Sequence, residues 1–454
     1  MKLDANRHYI PYSEQEVIDI ARESDVRFIS LWFTDVSGGV KSVIYPISEL
    51  DNILQNGVHF DGSSIEGFSR VAESDMVLRP DLATFSLLPW TSGEHLTARI
   101  ISTVYTSQGQ PFIGDPRQVL QKILNESEAM GFDFRTGLEL EFYLLPLDQN
   151  GKPLIDTIDE ISGYFDLPDE RMLNLEREML TALRAMGIHV DSSHSETGTG
   201  QYEIGFQYNH ALVSADHILT ARIVLKTVAK KHGFHCTFMP RPLANQPGSG
   251  MHTHESLHDS RTGENIFVDI EDEYHLSELA RQFLAGHLAH AKGMCAVLSP
   301  LVNSYKRLGT SFEAPVHITW AHINRSALIR IPSTAPGKET HTRLEMRSPD
   351  PSSNPYLAQA VMLASGLDGI KQRLDLPAPL EETLLVRGHD RLRKVDRLPS
   401  SLRQALDALE ADDVILSALG AYISDRYIEA KRQEYRDYSQ QITEWELKNY
   451  LTRY

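Results

Sequence analysis

The sequence predicts an α+β protein in which a small β-rich unit precedes a larger unit of helices and strands. Two observations carry this prediction. Short alternating apolar stretches, bounded by turn residues, fill the chain up to residue 108. Beyond that point, long stretches with helical periodicity alternate with strands whose two faces differ in polarity. We therefore expect a first domain at residues 15–108 and a second at residues 111–454.

The N-terminal unit is built around a predicted β-hairpin. Alternating apolar residues at 26–34 and 40–45 flank Ser37-Gly38-Gly39, and a glycine-rich turn between two such runs is a hairpin signal. Residues 84–88 and 97–105 add further predicted strands. Together these stretches predict a small sheet.

The second unit begins with a well-marked helix. Asp115 suits an N-cap and Pro116 suits the first helical position, and an apolar stripe at helical spacing follows them. Further helices are predicted at 168–186, 213–232, 274–296, 355–374 and 401–435. We expect these helices to lie outside a sheet whose inner face carries the charged side chains.

Composition limits the classes of function. The 454 residues suffice for roughly two to three domains, and their hydrophobic content of 41% is ordinary for a soluble globular protein. The formal net charge of −18 argues against nucleic acid or an anionic membrane as a partner. The first residues lack an apolar signal core, and no run approaches the roughly 18 apolar residues of a membrane span. We expect a cytoplasmic protein with Cys236 and Cys295 as buried free thiols.

Three predicted strands share one pattern, in which charged and polar side chains occupy alternate positions. Side chains alternate across a strand with period two, so each segment packs apolar groups one way and presents polar groups the other. The polar sets are Glu139 and Glu141; His252, His254 and Ser256; and Arg343, Glu345 and Arg347. Glu196 and Glu203 add two carboxylates on either side of a glycine-rich stretch.

These residue types point to a site that handles ATP. Clustered carboxylates require counter-charge, and oxygen-rich ligand sets suit Mg²⁺ or Mn²⁺. Arginines beside them suit phosphate, and Arg307, Arg325 and Arg330 are further candidates to hold a carboxylate or a phosphoryl group. Each signal has a plainer interpretation. The acids can be solvated faces, the histidines can be a zinc site, and the Gly-Ser-Gly at 248–250 lacks the other residues of a phosphate-binding loop.

Five motifs carry a resemblance to a known family. They are Asp61-Gly62-Ser63-Ser64-Ile65-Glu66-Gly67-Phe68, Gly248-Ser249-Gly250-Met251-His252, Asn303-Ser304-Tyr305-Lys306-Arg307-Leu308, Arg347-Ser348-Pro349-Asp350-Pro351-Ser352-Ser353-Asn354-Pro355-Tyr356-Leu357 and Trp445-Glu446-Leu447-Lys448-Asn449-Tyr450. In order and spacing the chain resembles the type I glutamine synthetases over nearly its whole length. The resemblance implies an N-terminal β-grasp domain followed by a larger catalytic domain, with a curved, polar-lined sheet and outer helices. It also implies a homo-oligomer, a dodecamer of two stacked hexameric rings, with active sites between neighbouring subunits.

The resemblance also assigns roles to individual residues. Those that match metal ligands are Glu141, Glu196 and Glu203 for one ion, and Glu139, His252 and Glu345 for the other. Those that fall where the family contacts nucleotide are Tyr208, His254, Ser256 and Arg343, with Arg325 and Arg330 on the phosphates. Those that match the amino-acid site are Gly248, Arg307 and Arg347, and Pro247 adjoins them in the expected substrate pocket. Asp61 and Ser64 match a segment supplied by the neighbouring subunit, and Glu313 matches a mobile flap glutamate.

The implied reaction is an ATP-dependent ligation with roughly two to three Mg²⁺ or Mn²⁺ ions per site. Glutamate first takes the γ-phosphoryl group of ATP to form γ-glutamyl phosphate, and an amine then displaces the phosphate. An amine is protonated at neutral pH, so a carboxylate such as Asp61 or Glu313 must accept its proton, and Arg325 would stabilise the transferring group.

One departure from the family bears on the amine. The family usually carries Asn before Gly-Ser-Gly-Met-His, whereas this chain has Pro247, which supplies neither a side-chain amide nor a backbone N–H. The change resembles members that join glutamate to organic amines, so we expect a γ-glutamyl-amine synthetase. Three alternatives stay open: a true glutamine synthetase that uses ammonia, a non-catalytic structural or regulatory oligomer, and a metal-dependent phosphohydrolase.

Overall fold

The structure is a computed structural model that describes residues 2–3, 9–63, 65, 75–155, 164–309, 314–381 and 395–454. Ser64 and Glu313, both predicted site residues, lie outside the described residues.

The N-terminal part of the chain forms a two-stranded sheet and a six-stranded sheet with two helices. Its elements are β1 (Lys2–Leu3), β2 (Tyr9–Ile10), α1 (Glu14–Glu23), β3 (Phe28–Thr34), β4 (Val40–Pro46), α2 (Leu50–Asn56), β5 (Val58–Asp61), β6 (Asp75–Pro80), β7 (Ser86–Leu87) and β8 (Thr97–Thr106). The larger sheet runs in the order β4-β3-β8-β6-β5, with β7 also paired to β8. Only the β3–β8 pair among these is parallel.

The predicted hairpin is confirmed. β3 and β4 pair antiparallel, and Gly38 in the turn has φ +83°, a conformation that glycine adopts without strain. The strand predicted at 84–88 is shorter than expected, because Asp81 caps a 3₁₀ turn at Leu82–Thr84 and only Ser86–Leu87 remains extended.

The rest of the chain forms a nine-stranded sheet backed by helices. Its elements are α3 (Pro116–Ala129), β9 (Phe132–Pro146), α4 (Glu170–Ala185), β10 (Val190–Ser195), β11 (Gln201–Phe206), β12 (Asn209–His210), α5 (Ala211–Lys231), β13 (Phe234–Thr237), β14 (Met251–Asp259), α6 (Glu278–Leu298), α7 (Ser304–Leu308), β15 (Trp320–Ala321), β16 (Ile329–Arg330), β17 (Leu344–Met346), α8 (Pro355–Gln372), α9 (Leu402–Glu410), α10 (Asp413–Leu419), α11 (Ala421–Ser439) and α12 (Glu444–Tyr450). The strand order is β10-β11-β9-β14-β17-β16-β15, with β12 and β13 also paired to the long strand β9.

The core lies between the apolar face of this sheet and the helices. Phe134 and Leu257 from the sheet are fully buried with Phe283 of α6 and Tyr356 of α8. The opposite face is left to the polar side chains, as the alternation predicts.

The first predicted helix is confirmed as α3, because the Asp115 carboxylate accepts the Arg117 N–H at 2.9 Å and Pro116 is the first helical residue. The helices predicted from 168 to 374 correspond to α4, α5, α6 and α8 with shifted ends. The single helix predicted over 401–435 is wrong. Asp412 caps a new helix there, and Gly420 (φ +78°) separates that helix from the next, so the stretch forms α9, α10 and α11.

A buried ion-pair network joins the N-terminal part to the helices that back the nine-stranded sheet. The Arg117 guanidinium donates to Asp216 of α5 at 2.8 Å and 3.0 Å, and to Asp81 of the N-terminal part at 2.7 Å. Tyr356 donates its hydroxyl to the same Asp216 at 2.6 Å. Removing one partner of such a pair would leave a buried charge uncompensated, so the network favours one arrangement of the two sheets. The boundary predicted between residues 108 and 111 stays a prediction.

Cys236 and Cys295 are both buried and free, as expected. Among the described helices, none has the length and hydropathy needed to cross a membrane.

Candidate active site

The strand register places the predicted metal-ligand side chains beside one another on the polar face of the sheet. Directly opposed residues on one face have Cβ atoms about 4.5–5.5 Å apart, so their side chains converge. The opposed pairs are Glu139 with His252, Glu141 with Glu203, and His254 with Glu345.

Glu139, His252 and Glu345 form one cluster, with their ligand atoms within 4.8 Å of one another. His252 Nδ1 lies 3.3 Å from Glu139 Oε2 and 3.8 Å from Glu345 Oε1. Glu139 also meets His254 Nε2 at 2.8 Å. Burial alone would raise the pKa of Glu139, but the hydrogen bonds from His252 and His254 outweigh burial and hold that pKa well below its ordinary value.

Glu345 is a buried, ionised carboxylate, with 1% of its surface exposed. Arg330 Nε lies 2.5 Å from its Oε2, and Arg347 pairs with its Oε1. Burial would raise the pKa of Glu345, yet Arg347, the two nearby histidines and Arg330 together lower it to about 2.

A second group is richer in acid. The ligand atoms of Glu141, Glu203 and His252 lie within 4.8 Å of one another, as do those of His194, Glu196 and Glu203. The expected trio of Glu141, Glu196 and Glu203 is therefore divided between two groups that share Glu203. Burial, and then the charges of Glu203 and Glu196, raise the pKa of Glu141. A divalent cation would supply the positive charge that these clustered carboxylates need in order to ionise together. Their oxygen atoms are the ligands that Mg²⁺ and Mn²⁺ prefer, so the donors fit either ion.

His194 belongs to this second group, although the sequence reasoning missed it. Its Nε2 lies 3.3 Å from Glu203 Oε1 and its Nδ1 lies 3.7 Å from Glu196 Oε1. The hydrogen bond to Glu203 is the main cause that raises the pKa of His194 to about 9. The available signal was the same i, i+2 spacing, His194-x-Glu196, that marks the other polar strand faces.

A cavity of about 200 Å³ lies at the end of the sheet beside the acidic group. Its lining includes Glu141, Pro247, Gly248, His252, Arg307 and Arg347. Arg307 is 4% exposed and donates to the carbonyl oxygens of Ser348 and Arg347, both at 2.9 Å. A Cβ on Gly248 would lie 2.7 Å from Arg307 Cγ, so this position has no room for a side chain.

A second cavity of about 480 Å³ lies along the polar strands and is lined by Glu139, Tyr208, His254, Ser256 and Arg343, among others. Tyr208 and Ser256 share a short hydrogen bond between their hydroxyls. Arg343 Nε donates to His254 Nδ1 at 3.2 Å, so Nδ1 is the acceptor and Nε2 carries the proton that faces Glu139. Four of the residues predicted to contact the nucleotide, Tyr208, His254, Ser256 and Arg343, thus line one cavity.

Three predicted residues lie elsewhere. Arg330 is half-buried against Glu345, Arg325 is exposed in the loop after β15, and Asp61 is exposed at the end of β5. None of the three is among the described residues that line either cavity. Hydrogen bonds from the backbone and side chain of Ser63 lower the pKa of Asp61, so it is an ionised carboxylate at the surface of the subunit.

Comparison with protein families matches both parts of the chain. Residues 25–107 match the model described as glutamine synthetase, beta-Grasp domain, and residues 113–450 match glutamine synthetase, catalytic domain. These matches confirm the expected β-grasp and catalytic domains.

Individual relatives extend over nearly the whole chain. Glutamine synthetase of Staphylococcus aureus (strain MRSA252) is 44% identical over 447 residues, covering 98% of this chain and 99% of its own. That of Clostridium saccharobutylicum is 43% identical over 446 residues, with the same coverage.

Solved structures show the same fold. A structure titled "GmaS/ADP complex-Conformation 1" superposes with a TM-score of 0.87 at 33% identity, covering 96% of this chain and 99% of that one. Plasmodium falciparum glutamine synthetase superposes with a TM-score of 0.87 at 25% identity, covering 99% and 100%. The chain therefore belongs to the glutamine synthetase family, as an ATP-dependent glutamate ligase of that family.

Proposed function

We propose that the acceptor is an organic amine, so that the protein forms a γ-glutamyl amide from glutamate, ATP and that amine. The observation that carries this proposal is Pro247, which lines the 200 Å³ cavity together with Arg307 and Arg347.

Pro247 carries an apolar ring and has no N–H to donate to a group in the cavity. Its carbonyl oxygen accepts the Tyr143 hydroxyl at 2.7 Å, which fixes the loop at this point. Ala314 adds another apolar group to the same lining. An apolar wall discriminates weakly against extra alkyl groups, whereas a hydrogen-bonding wall rejects them strongly.

The proposed glutamate site lies between the two buried arginines. Arg307 is held in place by the two backbone carbonyls it contacts. Arg347 has a buried Nε without a hydrogen-bond partner among the described residues, and a buried donor of this kind is costly unless a ligand meets it. A substrate carboxylate would satisfy that donor.

The acid clusters are the proposed metal sites. Glu139, His252 and Glu345 would hold one ion, and Glu141 and Glu203, with Glu196, would hold another. When bound, these ions neutralise charge on the phosphates and on the transferring phosphoryl group. Arg330 beside Glu345 and Arg343 in the larger cavity would add positive charge on the nucleotide side, and we propose that Arg325 does the same once ATP is bound.

Two transfers follow from this arrangement. The glutamate γ-carboxylate attacks the γ-phosphorus of ATP, so that γ-glutamyl phosphate forms and ADP leaves. The protonated amine first gives one proton to a carboxylate, for which we propose Asp61 or Glu313, so that its nitrogen gains a free lone pair. The neutral nitrogen then attacks the acyl carbon, and the departing phosphate takes the second proton that the nitrogen loses. Because Asp61 is exposed and lines neither cavity of its own chain, we propose that it serves the site of a neighbouring subunit in a homo-oligomer, with a dodecamer as the expected assembly.

A second candidate is glutamine synthesis from ammonia. The observation that favours it is the 44% identity to a curated glutamine synthetase over nearly the whole chain.

One experiment separates the candidates. Phosphate release from ATP in the presence of Mg²⁺ and glutamate would be measured with ammonium, short alkylamines, diamines, longer polyamines and arylamines at one pH, and each product would be identified by mass. We expect a higher kcat/KM for at least one organic amine than for ammonium. A preference for ammonium over every amine would reject the proposal, and phosphate release without glutamate or amine would indicate a hydrolase instead.

A further inference from the structure

A chain of buried polar groups lies directly behind the larger cavity, on the core side of the sheet. It consists of Glu255 on β14, His287 on α6 and Ser365 on α8, and each of these residues has 0% exposure. The proposed reaction uses none of them. Polar groups are rarely placed this deep without partners, and every side-chain polar atom of the three except Glu255 Oε2 has one, so their arrangement requires a physical explanation.

The direction of each hydrogen bond among these three residues follows from its neighbour. The Ser365 hydroxyl donates to the Met362 carbonyl at 2.8 Å, so it can only accept from His287 Nδ1, which lies 2.7 Å away. His287 Nδ1 therefore carries a proton. On the other side of the ring, Nε2 lies 2.7 Å from Glu255 Oε1. Glu255 and His287 thus share one further proton, and the pair has zero net charge whichever atom holds that proton.

This series of hydrogen bonds ties β14 to α6 and α8 through a single strand residue, Glu255. Because side chains alternate along a strand, Glu255 points into the core while its neighbours His254 and Ser256 point into the larger cavity. The two helices approach each other closely here, since a Cβ on Gly286 of α6 would clash with the Ser365 carbonyl of α8. The backbone of β14 between His254 and Ser256 is therefore tied through Glu255 to a closely packed helix pair.

A second polar contact reinforces the first. Thr136 on β9 is the cross-strand partner of Glu255, and its hydroxyl lies 3.0 Å from the Gln359 amide of α8. Both central strands of the sheet are thus linked to α8 at the same level, directly beneath the cavity.

We infer that Glu255, acting through His287 and Ser365, is a positioning residue that sets where His254 and Ser256 meet the nucleotide. The inference rests on the proposed nucleotide role of the larger cavity. It extends that role to a side chain that touches no substrate.

The test compares Glu255→Leu with Glu255→Gln in the full-length assembled protein. Leu leaves His287 Nε2 without a partner, so β14 should shift and the Kd for ADP and the KM for ATP should rise about tenfold, the scale of one lost buried hydrogen bond. Gln can donate its amide to His287 Nε2 and preserves the neutral pair, so both constants should stay within about threefold of wild type. The KM for glutamate should change little in either variant, because the smaller cavity is lined by other residues.

A merely structural role gives a different pattern. In that case Glu255→Leu would lower Tm and leave the ADP affinity of the folded protein unchanged, and this result would overturn the inference. Equal losses in the Gln and Leu variants would also overturn it, because the proton arrangement would then be wrong. If Glu255→Leu does not fold, Ser365→Ala takes its place in the comparison, because it removes only the last hydroxyl. We then expect the Kd for ADP and the KM for ATP to rise about threefold.

Arg343→Ala separates this inference from its premise. If Arg343→Ala leaves ADP affinity unchanged, the larger cavity is not the nucleotide site, and both statements fall. If Arg343→Ala weakens ADP binding while Glu255→Leu does not, the nucleotide site stands and only the positioning role is rejected.

Discussion

His252 Nδ1 lies 3.3 Å from Glu139 Oε2, and this pair stands between the two cavities of the catalytic sheet. His252 lines the smaller cavity and Glu139 lines the larger one. Groups bound in the two cavities would therefore meet across this pair. Under the proposed assignment of the cavities, the phosphoryl group would pass from nucleotide to glutamate at this point.

The two acid clusters should respond with opposite sign to loss of a carboxylate. In the metal-free protein, Glu345→Gln should lower stability by about 3 kcal/mol, because it leaves Arg330 and Arg347 without a buried counter-charge. Glu141→Gln should raise stability by on the order of 1 kcal/mol, because it replaces a carboxyl whose ionisation is opposed by burial and then by Glu203 and Glu196 with a neutral amide. Thermal and denaturant unfolding in the presence of a chelator measure both changes.

Both variants should also lose turnover at saturating Mg²⁺ and bind Mn²⁺ more weakly in a calorimetric titration. Wild-type turnover in either variant would exclude that carboxylate as a metal ligand. If Glu345→Gln and Glu141→Gln destabilise the protein by the same amount, then Arg330 and Arg347 do not distinguish Glu345 from Glu141.

The contrast between Glu141 and Glu345 also shows what sequence can predict. The period-two alternation is local, so it predicted which side chains share a face. Register and counter-ions are not local: Arg330 meets Glu345 only because β16 pairs with β17. Clustered acids alone would predict a gain in stability when Glu345 is removed. Its pairing with Arg330 and Arg347 predicts a loss instead.

The same reasoning accounts for the other misses. His194 groups with Glu203 through the pairing of β10 with β11, which spacing along the chain does not determine. The break between α9 and α10 had a local signal in Asp412, a good N-cap residue, but continued helical periodicity on both sides concealed it.

His290 should make stability fall as pH rises. It lies on α6, with Nδ1 2.9 Å from Asp412 and Nε2 3.2 Å from Asp368 of α8. Burial lowers the pKa of His290, but the two carboxylates outweigh burial and raise it above 6.5. Because the folded pKa exceeds the unfolded one, the stabilisation is complete below about pH 6.5 and is lost as pH rises through the folded pKa.

The check is the difference in Tm between wild type and His290→Gln, measured in steps from about pH 6 to pH 9. The wild-type advantage should shrink steadily over this range. A constant difference would mean that protonation of His290 does not contribute.

Subunit mixing should test the proposed role of Asp61. If Asp61 completes a neighbour's site, then Asp61→Ala and Glu141→Gln subunits are each inactive alone but complement each other in one oligomer. Random reassembly of equal amounts should restore about a quarter of the wild-type activity, because each site draws on two chains. Absence of any recovery in oligomers shown by mass to be mixed would place the whole site within one chain.

Pro247→Asn should move acceptor preference towards ammonium. The change restores a side-chain amide and a backbone N–H at the wall of the smaller cavity, while the backbone carbonyl that accepts from Tyr143 is retained. We expect the ratio of kcat/KM for ammonium to that for the best organic amine to rise about tenfold, close to the effect of one hydrogen bond. Pro247→Ala is the matched control, because it restores the N–H without the amide. A shift in Asn but not in Ala assigns selectivity to the side-chain amide, and an equal shift in both assigns it to loss of the ring together with the restored N–H. If neither variant changes the ratio, the apolar ring of Pro247 does not select the amine, and the acceptor must be chosen elsewhere in the cavity.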